Sequence, residues 1–302
     1  MRIPFRVKPM LATLVDAPFT RANWIFEEKY DGVRILAYKE GSRVTLISRN
    51  AIDRTENYPE IARAVLALKA ETLLLDGEVV VFDAKGVSRF QLLQQGKGKP
   101  EYAIFDWLYR DGKDLRREPL ASRRGILESL TRLGPSLRIS AKLDPDGLKA
   151  FRIASRRGLE GVVGKNLQSI YESRRSREWL KVKVHHEQEF VIGGFTKPKG
   201  TRLDFGALLL GVYDGKELHY AGKVGTGFDD ETLKNLRQKF QPLIQSKSPF
   251  EELPKESDVT FLKPELVAQI SFTEWTKDGK LRHPVYLGLR DDKKAKEVRR
   301  EG

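Results

Sequence analysis

Most apolar residues of this chain fall in short runs of strand length, punctuated by glycine, aspartate and asparagine turns. Runs bounded this way read as strands, and the few stretches with helical spacing between them give an α+β chain. Residues 24–28 form the first clear run, and Gly32 lets the chain turn before residues 33–38 and 44–48, hairpin strands around Glu40-Gly41-Ser42. Residues 73–82, 102–108, 161–164 and 179–184 read the same way. Helical spacing appears at 58–70, where Ile61, Val65 and Leu68 share a face, with Asn57 as cap and Pro59 at an early position. It appears again at 117–133 and 147–157.

From about Gln188 the character changes. Residues 190–195 are followed by a loop at 197–200; residues 208–213 and 217–224 flank an Asp214-Gly215 turn, a strong hairpin signal. A helix at 230–243 precedes strands at 266–273 and 281–287, which flank an Asp278-Gly279 turn. Several short strands and one helix fit a small Greek-key barrel of the OB type. The boundary falls near 184–188, giving domains 1–186 and 187–302, and the highly charged residues 291–302 are expected to fray.

A length of 302 residues accommodates two domains. The absence of cysteine excludes disulfides, thiolate metal sites and cysteine nucleophiles, and fits a reducing cytoplasm. Four histidines, two of them adjacent (His185, His186), are a poor basis for a zinc site. No run approaches the roughly 20 apolar residues of a membrane span, and residues 1–19 lack the apolar core of a signal peptide. The net charge of +13 suits a polyanionic partner or a solubilising surface. Its distribution favours the first: residues 149–183 hold ten basic side chains against three acids (Glu160, Glu172, Glu178), a patch suited to a phosphate backbone.

Four segments carry candidate chemistry. Glu27-Glu28-Lys29-Tyr30-Asp31-Gly32-Val33-Arg34 puts a lysine at a strand end beside an acid and a glycine turn; alone it also describes a solvated hairpin edge. Leu75-Asp-Gly-Glu-Val-Val-Val-Phe82 embeds Glu78 in an apolar run, where a buried charge costs several kcal/mol without a partner. Glu160-Gly-Val-Val-Gly-Lys165 brackets a short strand with an acid and a lysine. Trp179-Leu-Lys-Val-Lys183 sets Lys181 and Lys183 on one strand face, a repulsive arrangement unless an anion such as a triphosphate lies between them.

Lys-x-Asp-Gly, Ser48-Arg49, Asp76-Gly-Glu78, Phe105-Asp106, Glu160-Gly-Val-Val and Lys181-Val-Lys183 occur in this order. Together they resemble the nucleotidyltransferase superfamily of ATP-dependent DNA ligases, RNA ligases and mRNA capping enzymes. Leu281-Arg-His-Pro-Val-Tyr-Leu-Gly-Leu-Arg-Asp-Asp-Lys293 is most similar to the C-terminal motif of bacterial end-joining DNA ligases, so the resemblance runs from about residue 8 to residue 294. It implies a nucleotidyltransferase domain of ATP-grasp-like antiparallel sheets with helices, followed by an OB-fold barrel. It also implies ATP and Mg²⁺ (or Mn²⁺) as cofactors, and nicked or broken DNA as partner.

By that likeness Lys29 is the nucleophile that forms lysyl-AMP. Glu27 meets the adenine amino group, Phe105 stacks on the ring, and Arg34 and Glu78 hold the ribose. Arg49 and Arg177 contact phosphate or nucleotide, Lys181 and Lys183 the α-phosphate, and Arg282 orients the leaving pyrophosphate. Glu160 is the leading metal-ligand candidate, with Asp31 or Glu78 as helpers. A lysine amine is almost wholly protonated at neutral pH, and neighbouring cations (Lys181, Lys183 and a metal) are expected to depress its pKa. RNA ligation or capping shares the core motifs, and a non-catalytic nucleic-acid-binding protein is the reading from another class. NAD⁺-dependent ligation is disfavoured because its extra N-terminal domain and cysteine zinc module are missing. No polymerase or nuclease module is expected beside the core, so DNA grip is expected from the two domains or from a partner such as a Ku-type end-binding protein. The chain is expected to act as a monomer in the cytoplasm, nucleoid-associated in a prokaryote, away from membranes.

Overall fold

The computed structural model describes residues 3–130, 133–184, 186–198, 204–252 and 254–301. The expected loop at 197–200, the expected helix at 117–133 and the His185-His186 pair each extend partly outside the described residues. Contacts divide the chain into two compact units, Met1–Val184 and His185–Gly302.

Unit 1 begins with β1 (Leu11–Leu14), β2 (Trp24–Lys29), β3 (Val33–Glu40), β4 (Arg43–Ser48), α1 (Pro59–Leu66) and β5 (Thr72–Val80). It continues with α2 (Phe90–Gln94), β6 (Glu101–Arg110), β7 (Lys113–Asp114), α3 (Leu120–Glu128) and β8 (Leu137–Ile139), and ends with α4 (Gly147–Arg157), β9 (Gly161–Asn166) and β10 (Arg175–Lys183). Two sheets result, one in the order β1-β10-β9-β2 and one in the order β4-β3-β5-β6-β7, with β8 beside β6. Strand alternation decides the layering. One face of the second sheet, with Ile35, Ala37, Leu73, Leu75 and Ile104, packs with Ile61 and Val65 of α1 and Leu127 of α3. The other, with Leu36, Tyr38 and Leu74, packs with Tyr171 and with Trp179 from the first sheet. Ala150 and Ala154 of α4 cover the outer side of that first sheet against Phe26 and Val162. The unit is therefore a sandwich with a cleft between its sheets.

Several local expectations change. No side chain caps α1: Tyr58 occupies the cap position, and Pro59 takes the first helical turn, where its missing N–H costs nothing. α3 begins at Leu120, behind Pro119 in extended geometry, rather than at Arg117. Gly32 is required by close approach: a Cβ there would lie 2.1 Å from the Val79 carbonyl oxygen.

Unit 2 comprises β11 (His186–Thr196), β12 (Leu208–Asp214), β13 (Glu217–Val224), α5 (Asp230–Phe240), β14 (Ile244–Gln245), β15 (Val259–Leu262), β16 (Val267–Phe272), β17 (Glu274–Trp275), β18 (Leu281–Arg282) and β19 (Val285–Leu289). The order is β13-β12-β11-β15-β14, with β16 joining β11 to β19. β11 pairs with β16 over its first half and β15 over its second, changing partner near Gly193 as strands do at the corner of an OB-type barrel. Phe195, Phe205 and Phe240 of α5 interlock in its core, 5.3–6.1 Å between centroids. The expected strand at 281–287 is two strands, because His283 adopts φ +49° before Pro284. The charged tail does not fray. Asp292 takes both Nε and Nη2 of Arg290, at 2.8 and 2.9 Å, Val298 is buried, and Gln188 bonds the backbone of Arg299 and Glu301.

Candidate active site

Paired residues on neighbouring antiparallel strands share a face. Across β2, β9 and β10 this gives three rows: Ile25–Lys165–Trp179, Glu27–Val163–Lys181 and Lys29–Gly161–Lys183. The first row closes the cleft. Trp179 is buried edge-on to Phe105 and Tyr171, with centroids 6.0 and 6.1 Å apart, and Lys165 Nζ lies 4.3 Å from the centroids of both Phe105 and Trp179. Burial draws the Lys165 ammonium below its ordinary pKa against the pull of Glu27, with Arg124 adding to the fall.

In the second row Glu27 is buried and receives Lys165 Nζ at 2.8 Å, Arg124 Nη1 at 2.9 Å and the Ser140 hydroxyl at 3.0 Å. The Arg124 contact is an ion pair without hydrogen-bond alignment, since both facing atoms otherwise lack a bond. Lys181 and Lys183 are half-buried on the cleft face. In the third row glycine at 161 puts no side chain between Lys29 and Lys183.

Lys29 ends β2 and its Nζ pairs with Glu160, the residue preceding β9. Burial works against the ammonium, but the Glu160 carboxylate, reinforced by Asp31 and Glu78, outweighs it and raises the pKa above the ordinary lysine range. Lys181 and Lys183 do not by themselves depress it: the nearest charges are carboxylates, and they hold the proton on.

The second sheet supplies the opposite wall. Arg34 and Glu78 face each other across β3 and β5. Arg34 donates from Nε and Nη2 to Asp76 at 2.7 and 2.6 Å, and from Nη2 to the Met10 carbonyl at 3.0 Å. Its guanidinium lies 4.7 Å from the Phe105 centroid. Tyr171 donates to Asp76 Oδ2 at 2.6 Å and accepts from the Met10 amide at 2.9 Å. The fully buried acid of the Asp-Gly-Glu segment is thus Asp76, whereas Glu78 is half-buried, which corrects the reading of Glu78 as the embedded charge. Asp31 accepts the Phe90 amide at 3.0 Å and donates its own amide to Ser88 Oγ at 3.0 Å, so it also anchors the start of α2.

Lys29, Glu160, Asp31, Glu78 and the Lys181/Lys183 pair are therefore brought around one cleft, with Glu27, Arg34 and Phe105 in its walls. Arg49 joins through its backbone, donating to the Arg34 carbonyl at 3.2 Å. Arg177 is exposed on β10, and Arg282 belongs to unit 2, where it pairs with Glu274 at 2.7 Å. Sequence reasoning named Asp76 and Lys165 without giving either a role, and passed over Arg124 and Tyr171. Lys165 had a usable signal, a lysine closing a short strand opened by Glu160, whereas Arg124 and Tyr171 lie in segments with no local pattern. Elsewhere, Glu217, His219 and Glu251 place potential ligand atoms within 4.8 Å of one another on the surface of unit 2. Among the described residues no helix is long and apolar enough to cross a membrane.

Two successive domains of this kind, with an amine-bearing cleft in the first, define a nucleotidyltransferase–OB architecture. Residues 9–183 match the family model described as the ATP-dependent DNA ligase domain, and residues 201–293 the ATP-dependent DNA ligase C-terminal region. The multifunctional non-homologous end joining protein LigD of Pseudomonas aeruginosa is 42% identical over 98% of this chain, and the chain spans 37% of that relative. A DNA ligase-like protein of a Bacillus subtilis prophage is 30% identical, with 94% of this chain matching 99% of it. A solved mycobacterial DNA ligase D, complexed with ATP and MES, shares 36% identity and a TM-score of 0.76, covering 99% of this chain and 100% of its own. The chain belongs to the ATP-dependent DNA ligase family.

Proposed function

We propose that this chain seals nicks between a 5′-phosphate and a 3′-hydroxyl in DNA, with ATP as the source of an AMP carried on Lys29. The observation that carries the reading is the Lys29–Glu160 pair at the mouth of a cleft whose two walls present Lys181/Lys183 and Arg34/Glu78. Nζ attacks the α-phosphorus of ATP, an N–P bond forms, the bond to pyrophosphate breaks, and Nζ gives up its proton. Lys181 and Lys183 stabilise the charge that develops on the phosphoryl oxygens. Phe105 stacks the base, Glu27 meets its amino group, and Arg34 and Glu78 take the ribose. Arg49 and Arg177 are assigned to phosphate or nucleotide, and Arg282 to the leaving pyrophosphate.

Glu160, Asp31 and Glu78 would all hold a proton on Lys29, and a triphosphate would add to them. An all-oxygen donor set without sulfur or histidine fits Mg²⁺ or Mn²⁺, with Glu160 as ligand and Asp31 or Glu78 helping. An ion held there would supply positive charge that weakens the carboxylates' hold on the Lys29 proton, while burial favours the neutral amine.

AMP passes next to a 5′-phosphate, and a 3′-hydroxyl displaces it. The end-joining relatives support repair of broken DNA as the cellular setting; a Ku-type partner and a monomeric, cytoplasmic, nucleoid-associated chain belong to the same proposal. The test is incubation with α-labelled ATP and Mg²⁺, followed by denaturation: label on the wild type and none on Lys29→Ala is expected. An unlabelled wild type, or equal label on both, overturns the reading. Nicked DNA compared with nicked RNA then fixes the strand that is sealed.

A further inference from the structure

Helix α4 carries four cations and no acid, and the nucleotide chemistry uses none of them. Asp146 caps its start, accepting the Leu148 amide at 2.8 Å, and Gly158 at φ +68° ends it in the left-handed conformation that glycine adopts without strain. Gly147, Ala150 and Ala154 face the sheet. The opposite side presents Lys149, Arg152 and Arg156, all exposed, at spacings of three and four residues that put them on one stripe. None of the three makes a side-chain hydrogen bond or ion pair among the described residues, whereas Arg157 turns toward Glu28, 3.9 Å away.

An ordinary solvated helix face interleaves acids with its cations. Here like charges stand at both helical-neighbour spacings, and Lys149 sits in the first turn, where the helix dipole disfavours a cation. Repulsion between these neighbours costs local stability, although the dipole favours Arg156 in the last turn and Asp146 partly offsets Lys149, a pattern that points to function. The stripe is about 10 Å long, seven residues at 1.5 Å each, which spans about three phosphate steps of 3.4 Å along one DNA strand. Three residues separate Arg156 from Glu160, so their Cα atoms lie within about 15 Å, with α4 on the outer side of the sheet whose inner side lines the cleft.

We propose that Lys149, Arg152 and Arg156 form a track for the sugar–phosphate backbone of the duplex flanking the break being sealed. The proposal rests on the ligase reading and extends it to a surface outside the nucleotide cleft. Each neutralised phosphate steepens the logarithmic salt dependence of duplex binding by about 0.9. Replacing all three with glutamine should flatten the slope by about 2.7, so between 50 and 200 mM salt the variant loses about 40-fold less affinity than the wild type.

The experiment measures binding of the full chain to a nicked duplex across that salt range, for Lys149→Gln/Arg152→Gln/Arg156→Gln and for Arg152→Lys/Arg156→Lys. Adenylylation with α-labelled ATP is followed in parallel. Normal labelling with a flattened slope in the glutamine variant, and a near wild-type slope in the lysine variant, supports the track. Normal labelling with an unchanged slope overturns it and leaves the face to an acidic protein surface. A wild type that takes no label fails the ligase reading, while the slope still reports on the track. If the glutamine set unfolds, Arg152→Gln alone decides, with a slope change of about 0.9 expected and no change overturning the proposal.

Discussion

Glu28 offers the sharpest test of the electrostatics, because it is a buried carboxylate that points away from the cleft. Alternation along β2 sends Lys29 and Glu27 inward and Glu28 to the outer side, where it is 5% exposed and its Oε1 lacks a hydrogen-bond partner. Arg157 stands 3.9 Å away and is half in solvent, while Arg138 is committed to Glu101 at 2.6 Å and covers Phe82. Burial therefore dominates these partial compensations and pushes the carboxyl up from 4.5 to about 7. Between those pH values the folded state binds the extra proton, so stability falls as pH rises through the window. Moving the carboxyl from 4.5 to about 7, at 1.36 kcal/mol per pH unit, is worth about 3 kcal/mol. Glu28→Gln should remove that slope, gaining stability relative to wild type as pH goes from 4.5 to 7.5. In a unit of this size the relative melting temperature should move by about 6–12 °C over the range. Thermal and urea unfolding from pH 4.5 to 8 measure it. Parallel curves, within about 1 kcal/mol at every pH, refute the assignment of a buried, poorly compensated charge.

Three further outcomes are expected. Asp76→Asn faces an amide toward the Arg34 guanidinium or the Tyr171 hydroxyl. It should cost about 3–5 kcal/mol in urea unfolding, partly recovered by adding Arg34→Met, and a loss below about 1 kcal/mol removes the case for a buried pair. Glu160→Gln takes away the carboxylate that raises Lys29, leaving burial to lower its pKa. At pH 9, labelling of Lys29 by an amine-directed acylating reagent, followed by mass spectrometry, should quicken at least about tenfold; equal rates contradict the pairing. Stability from that pair is present below the ordinary lysine range and disappears as pH rises through the raised value, so the variant should also lose less stability under alkali. Gly32→Ala should cost several kcal/mol, since its methyl would meet the Val79 carbonyl at 2.1 Å and Val80 Cγ1 at 2.8 Å. An unchanged melting temperature rules out the close approach.

The strands around the cleft were legible because their apolar runs are long and cleanly bounded, as at β3, β5 and β6. α4 was legible to the residue, having both an aspartate cap and a terminal glycine. The breaks were not. Nothing local announces that His283 takes a left-handed conformation and divides the expected strand at 281–287. The tail looked like solvent-exposed charge, yet Arg290 and Asp292 satisfy each other in a buried pair. The same limit applied to the site. The residues in the ordered motifs could be listed, but sequence order does not say which acid meets which base. Arg34 pairs with Asp76 two residues from Glu78, and Lys29 with Glu160 from 131 positions away.

That pairing explains why so many charges lie at low exposure in unit 1. Asp76–Arg34, Asp106–Arg123 and Glu27 with Lys165 and Arg124 all occupy its buried or near-buried interior. Each costs desolvation, and well-packed apolar replacements for such groups are often neutral or stabilising. Their common feature is location: Arg34 and Lys165 both stack against Phe105, while Asp76 and Glu27 fix those two cations from behind. The aromatic floor of the cleft is thereby edged by cations whose positions are set before any nucleotide arrives. Under the ligase reading proposed above, cations fixed in this way would not need to reorganise before meeting a nucleotide, which is where fixed charges do most for catalysis. Lys29 is placed in a similar way: its partner Glu160, 9% exposed, comes from the segment just ahead of β9, so this pair too sits at the edge of the buried interior.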